Sequence, residues 1–260
     1  SAYLNIAFAH LNGGDVSGTT IDESIRHAIT KLSHIHLVHT KSNAIRVEKM
    51  GENRTRIYVT GALTVDSIKQ SNLMDRKQIY DKYGLNPNET TFLLVHHPIT
   101  TLKDQGYSEM RELFLVLDNL KKQTILIYPN CDAGSKRFID LIEKYENKDY
   151  LHTFKNLEHF EYLSFMKNCD LMLGNSSSGI IEAPSFKIPV INIGTRQQGR
   201  ERSDNILDVA PNKDDILKKI DFTLNDKKFK KKIKKCKNKF GDGDASLRIV
   251  KIFKDVEISE

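Results

Sequence analysis

Apolar residues in this chain gather in short continuous runs, separated by longer stretches where they recur at helical spacing. Short apolar runs suit strands buried on both faces of a parallel sheet, and the stretches between them suit amphipathic crossover helices. Strands are predicted at Tyr3–Ala9, His36–His39 and Arg56–Val59. After a break they resume at Phe92–Val95, Thr124–Tyr128, Tyr150–His152, Leu171–Leu173, Val190–Ile193 and Asn205–Val209. Helices are predicted at Ile21–Ser33, Asn43–Met50, Ser108–Lys121, Ser135–Tyr145, His159–Asn168 and Gly179–Phe186, with Asn212–Leu224, Asp226–Phe240 and Asp244–Asp255 closing the chain. This alternation specifies an α/β fold with parallel sheets and right-handed crossovers. The strands after residue 90 make a complete Rossmann-like domain, and those before residue 60 read as the back half of another. Residues 1–70 are therefore expected to form the rear part of an N-terminal lobe, and residues 71–260 a C-terminal lobe with its closing helices. The polar stretch Lys69–Asn88 connects them, with a helical pattern of its own at Met74–Tyr83. Because Tyr3–Ala9 already reads as a mid-sheet strand, the chain is expected to begin partway through a domain.

Composition narrows the classes only modestly. The 260 residues are ample for two lobes, and no run of 18 apolar residues predicts a membrane span. Cys131, Cys169 and Cys236 are widely spaced and lack metal-ligand spacing, which points to thiols in a reducing compartment. The net charge of +6 comes mostly from residues 227–239, KKFKKKIKKCKNK. There Phe229, Ile233, Cys236 and Phe240 keep helical spacing, so the lysines read as the solvated face of an amphipathic helix. A nucleic-acid surface would need stacking aromatics or a groove-reading motif beside them.

Candidate chemistry collects in loops at the C-terminal ends of strands, where open α/β sheets bind ligands. In DLMLGNSSSGIIEAPSFKIPVINIG (residues 170–194), backbone N–H groups from Gly174 to Gly179 and the hydroxyls of Ser176, Ser177 and Ser178 precede a helix. Such a loop suits a phosphate, and Glu182 one turn on suits ribose hydroxyls, although an ordinary serine N-cap would read alike. In the stretch Ala9–His34, Gly13–Gly14 permits a tight turn, and Ser17, Thr19 and Thr20 are candidate caps. Asp22 and Glu23 lie in the first turn of the next helix, with Arg26 and His27 one turn later. They read either as ion pairs of a well-capped helix or as a carboxylate and a cation facing a sugar nucleotide. His96 and His97 end a strand, and only one of two successive residues can face a given site. Asn130 and Asp132 lie in YPNCDAGSK, and Arg196, Arg200 and Arg202 in GTRQQGRERSDN. No zinc pattern, Walker A loop or complete dinucleotide fingerprint occurs.

In order along the chain, HLNGGDVSGTTIDESIRHAITKLSH, PNCDAGSK, GNSSSGIIEAPSFKIPVINIGTRQQGRE and FGDGDASLRIVKI resemble the UDP-hydrolysing UDP-N-acetylglucosamine 2-epimerases of sialic and related nonulosonic acid synthesis. The resemblance spans nearly the whole chain. It implies a two-lobed GT-B fold whose front half of the first lobe is missing here. It also implies a metal-free, cofactor-free cytoplasmic enzyme that works as a homo-oligomer on a UDP-sugar, not on nucleic acid or membrane. The implied reaction eliminates UDP across C1–C2 to 2-acetamidoglucal, which water converts to N-acetylmannosamine. By the same resemblance Asp22 is an acid/base carboxylate with Glu23 its neighbour, and His97 lies near the phosphates. Ser176 and Ser177 correspond to diphosphate contacts, Glu182 to a ribose contact and Arg196 to a nucleotide contact. The chain departs from the pattern at Asn12, where some members carry glutamate. A second acidic residue and an arginine from the front half have no counterpart here. UDP-2,4-diacetamido-trideoxyglucose is the alternative substrate, and a UDP-binding module without catalysis the alternative role.

Overall fold

The computed structural model describes residues 6–18, 20–104 and 106–256. The first part of the chain forms β1 (Ala9–Leu11), α1 (Ile21–Lys31), β2 (Ile35–Val38), α2 (Lys41–Lys49), β3 (Ile57–Val59) and α3 (Leu63–Gln70). After α4 (Arg76–Tyr83) come β4 (Thr91–Val95), α5 (Tyr107–Leu120), β5 (Gln123–Ile127), α6 (Ser135–Tyr145), β6 (Leu151–Phe154), α7 (His159–Asn168) and β7 (Leu171–Gly174). Then follow α8 (Ser177–Ile181), α9 (Ala183–Phe186), β8 (Val190–Ile193), β9 (Ile206–Val209), α10 (Lys213–Asn225), α11 (Lys227–Lys234) and α12 (Ala245–Asp255). Among the described residues no helix is long and apolar enough to cross a membrane.

Two parallel sheets result, one in the order β1-β2-β3 and one in the order β6-β5-β4-β7-β8-β9. Alternation along β4 builds both faces of the larger sheet. Phe92 and Leu94 pack with α5, α6 and α10 through Met110, Leu113, Phe138 and Ile216. Leu93 and Val95 pack on the opposite face with Ile79, Tyr80, Phe165, Met166 and Ile180. The order reverses at β4, whose neighbours are β5 and β7. The crevice beyond β4 and β7 is thus the topological switch point, where such sheets bind ligands.

Several boundaries differ from the sequence pattern. The strand expected at Tyr3–Ala9 lies at Ala9–Leu11: Ile6 and Phe8 are exposed and outside the sheet, and Tyr3–Asn5 fall outside the described residues. The single helix expected over Gly179–Phe186 starts at Ser177 and divides at Glu182. Pro184 has no N–H to continue the ladder, so the chain restarts as α9. The helix expected to run to Phe240 stops at Lys234. Cys236 and Phe240 are still buried, but on an irregular segment held by Asn238, whose amide donates to the Ile181 carbonyl and Ser185 Oγ, both at 2.8 Å. The last helix, α12, returns to the small sheet, where Ile249 packs on Ile35 and Leu37. Its start is fixed by Asp66 of α3, which accepts from the Ala245 and Ser246 N–H groups at 2.9 and 2.7 Å.

Candidate active site

Four loops of the second lobe meet at the crevice, those after β4, β5, β7 and β8. Gly174 closes β7 at φ +120°, and an added Cβ there would strike the Val95 carbonyl of β4. Only glycine lets the two strand ends approach this closely. Asn175 is fully buried between them: its Oδ1 accepts from the His97 N–H at 2.7 Å and its Nδ2 donates to the His97 carbonyl at 2.9 Å. Sequence reasoning missed Asn175, although a polar residue directly after an apolar strand and a glycine was a usable signal.

The two histidines part as strand alternation requires. His96 turns into the core, with Nε2 3.3 Å from the buried Glu109 carboxylate and its ring stacked on Phe138. His97 faces the crevice, and its Nδ1 accepts from the Asn130 N–H at 3.2 Å. Burial, then the Arg196 charge, then His96 lower its pKa to about 3. His97 is therefore neutral near pH 7 and carries its proton on Nε2, as a hydrogen-bond donor and not a cation.

Ser176 caps α8, its Oγ accepting from the Ser178 N–H at 3.4 Å. Ser178 Oγ lies between Ser176 Oγ at 2.9 Å and Tyr162 Oη at 2.5 Å, so this hydroxyl supports the loop from behind. Ser177 is half-buried, and Gly179 packs beneath it against Val190 and Met172. Since α8 has only five residues, its dipole is weak, and the loop's N–H and O–H donors are its main means of binding an anion. Glu182 is buried with His159 Nε2 3.7 Å away, and burial raises the pKa of its carboxyl. Arg196 is buried as well and donates to the Asn175 carbonyl at 3.2 Å, while its Nε has no partner. Burial lowers its pKa; the Asp132 charge opposes this, the Arg200 charge adds to it, and the Asp22 charge of the other lobe opposes it most weakly. Asp132 accepts from Asn130 Nδ2 at 2.6 Å, and Gly134 of the same loop is the N-cap of α6.

The first-lobe wall is looser. Thr20 is the N-cap of α1, but its hydroxyl donates to Ser17 Oγ at 2.8 Å in place of capping, and Thr19 lies outside the described residues. Asp22 is exposed in the first turn. Glu23 accepts from the Ser17 N–H at 3.0 Å and lies 3.9 Å from His27. Arg26, expected to pair with Asp22, turns instead to the Asp15 carbonyl at 3.3 Å and Ser17 Oγ at 3.4 Å. Asn12 takes a left-handed φ of +67° and bonds His39 Nε2. Among the described residues no group of three or more His, Cys, Asp or Glu side chains is arranged to hold a metal ion.

This chain is similar in sequence and in fold to known nucleotide-sugar epimerases. A UDP-N,N'-diacetylbacillosamine 2-epimerase (hydrolyzing) of Legionella pneumophila is 38% identical over 256 residues, covering 98% of this chain and 66% of the relative. A UDP-N-acetylglucosamine 2-epimerase of Neisseria meningitidis serogroup B is 36% identical over 198 residues, covering 76% of this chain and 52% of the relative. The chain thus spans between half and two-thirds of the length of these curated relatives. A crystal structure of UDP-GlcNAc 2-epimerase from Neisseria meningitidis bound to UDP-GlcNAc superimposes with a TM-score of 0.82 at 16% identity, over 98% of this chain and 71% of that one. That likeness gives the two-lobed, GT-B-like fold. The sequence profile described as UDP-N-acetylglucosamine 2-epimerase matches residues 1–254, and with it the chain belongs to the UDP-N-acetylglucosamine 2-epimerase family.

Proposed function

We propose that this chain carries the nucleotide-binding and part of the proton-transfer apparatus of a hydrolysing UDP-sugar 2-epimerase. The observation that carries the reading is Arg196: a buried guanidinium with an unpartnered Nε, beside the neutral His97 and across from Asp22. A diphosphate held there receives N–H and O–H donors from the Ser176–Ser177 loop, the Arg196 charge and the His97 Nε2–H, while Glu182 takes the ribose hydroxyls. A sugar reaching toward α1 presents its C2–H to Asp22, with Glu23 held beside it by the Ser17 N–H. Arg26, Asn130 and Asp132 shape the rim of the site and keep the loops in place.

The reaction balances without an outside oxidant or reductant. A carboxylate takes the C2 proton, the C1–O bond breaks toward the diphosphate, and UDP leaves with the electron pair as the C1–C2 double bond forms. Water then adds its hydroxyl to C1 and a proton returns to C2 on the opposite face, giving the free manno-configured sugar. Asn12 is an amide and carries no proton in this scheme. In this reading residues 1–70 belong to the first lobe, with α12 packed back on it, and the remainder takes up UDP as a cytoplasmic homo-oligomer.

The substrate is a UDP-linked 2-acetamido sugar. The relative that is 38% identical over nearly the whole chain bears diacetylbacillosamine in its name, which favours that 2,4-diacetamido sugar over UDP-N-acetylglucosamine, the sugar favoured by the motifs alone. Incubating both nucleotide sugars with the protein in deuterated water, followed by proton NMR, tests the reading. Free UDP with a C2-deuterated manno product from either sugar supports it and names the substrate. Release of UDP without deuterium at C2 contradicts the elimination.

A further inference from the structure

Outside the groups already given roles, a buried ion pair joins the lobes. Arg200 follows β8 of the large sheet and Asp15 follows β1 of the small one; both side chains are 5% exposed. Arg200 Nη2 lies 2.6 Å from Asp15 Oδ2 and its Nε 3.3 Å from Oδ1, a two-pronged contact, and Nε also donates to the Val16 carbonyl at 3.1 Å. Beside it Gly18, at φ +53°, lies so close to the opposite loop that an added Cβ would be 2.9 Å from the Thr195 carbonyl. Ser42 and Glu201 add a second contact between lobes at 3.0 Å.

The pair is wired to both walls of the crevice. On one side Arg200 Nη1 donates to Gln197 Oε1 at 2.8 Å, and Gln197 Nε2 donates to the Asn175 carbonyl at 2.7 Å. Asn175 is the residue that holds His97, and the same carbonyl accepts from Arg196. On the other side the Asp15 carbonyl accepts from Arg26 of α1, the helix that carries Asp22 and Glu23. An unbroken series of hydrogen bonds therefore runs from α1 to His97 through Asp15 and Arg200.

We propose that Asp15 and Arg200 are positioning residues, whose buried pair fixes the lobe-to-lobe register that sets Asp22 opposite His97 and Arg196. A buried ion pair adds little net stability over apolar side chains of similar size, but its directional bonds specify one arrangement. Register matters here because proton removal at C2 and diphosphate departure at C1 draw on groups from different lobes, and a displacement of about 1 Å can cost 10²-fold in rate. The role in catalysis rests on the function proposed above; the latch itself rests on the contacts.

The test is the double variant Asp15→Asn with Arg200→Gln, which leaves no unpaired buried charge, with Asp15→Asn alone beside it. Three readouts are used: turnover of the two UDP-sugars, UDP affinity by calorimetry, and amide hydrogen exchange of segments 13–18 and 195–202. In the double variant we expect kcat to fall about 10–100-fold, with KM and the UDP Kd within about threefold of wild type. Exchange should quicken about tenfold in both segments together, with β4 and β5 unchanged. Unchanged exchange in either segment of the folded double variant overturns the latch. So does a parallel loss of kcat, UDP affinity and Tm, which marks a merely structural pair. If wild-type protein turns over neither sugar, the proposed function fails by itself, and exchange still decides the latch: joint quickening supports it and unchanged rates overturn it.

Discussion

Across the crevice, the second lobe presents His97 and Arg196 from buried or half-buried positions after strand ends, tied together through Asn175, with Glu182 buried at the end of α8, whereas the first presents Asp22 from an exposed helical turn. The second-lobe wall is preorganised. Its backbone positions follow from a six-stranded sheet, and its polar atoms are mostly satisfied before any ligand arrives. The first-lobe wall rests on three short strands, and besides bonds within its own lobe it is joined to the other lobe through Asp15 and Arg200. Binding should therefore be a property of one lobe and turnover a property of both, which mutations can separate.

The largest separation is expected at Asp22. Asp22→Asn should lower turnover about 10²–10⁴-fold while UDP affinity, measured by calorimetry, stays within about threefold. An equal fall in both would erase the distinction between the walls. Next comes Gly174→Ala, which forces a Cβ against the Val95 carbonyl at a positive φ. We expect a loss of about 3 kcal/mol in urea unfolding, together with the UDP site, because β4 and β7 must part. Unaltered stability would mean that the strand ends are less tightly joined than their geometry indicates. Ser176→Ala with Ser177→Ala should weaken UDP binding by about 1–3 kcal/mol and leave the fold intact; undiminished affinity would remove the serine loop from the site.

A further effect is one of pH. Burial and the Arg196 charge hold the folded His97 at a pKa of about 3, below the ordinary 6.5. Below pH 6.5 the unfolded chain takes up a proton that the folded chain does not. The contribution to stability is full above 6.5 and is lost progressively as pH falls toward 3. His10 and His39, both lowered to about 4 chiefly by burial, act in the same direction. Unfolding midpoints between pH 4.5 and 7 should therefore rise with pH, and His97→Gln should make the slope shallower. An unchanged slope would indicate that His97 is charged in the folded protein.

Much of the second-lobe wall is legible in the sequence. Apolar runs mark β4, β7 and β8, and the switch point puts the loops after β4 and β7 at the crevice, where histidine and serines follow in the chain. Less was legible where a side chain had several partners in reach. Arg26 was spaced to meet Asp22 yet bonds the Asp15 carbonyl, because the Gly13–Gly14 turn carries that carbonyl to α1. Arg200 was one of three arginines in a charged loop, and its partner lies 185 residues away. The pattern predicts one helix over Gly179–Phe186, whereas the fold divides it at Glu182, leaving a five-residue α8 before Pro184.

By itself the sequence determined the alternation of strand and helix, the parallel sheets, the family motifs and which polar loops follow the strands. These depend on periodicity and on residues near in the chain. Only the tertiary structure decided that Asn175 holds His97, that Ser178 faces Tyr162, that α12 returns to the first sheet and that Asp15 meets Arg200. Such pairings depend on which distant loops the folded sheets bring within hydrogen-bond range. Burial then makes each one exclusive, since a polar group withdrawn from water must take the partner that the fold places beside it.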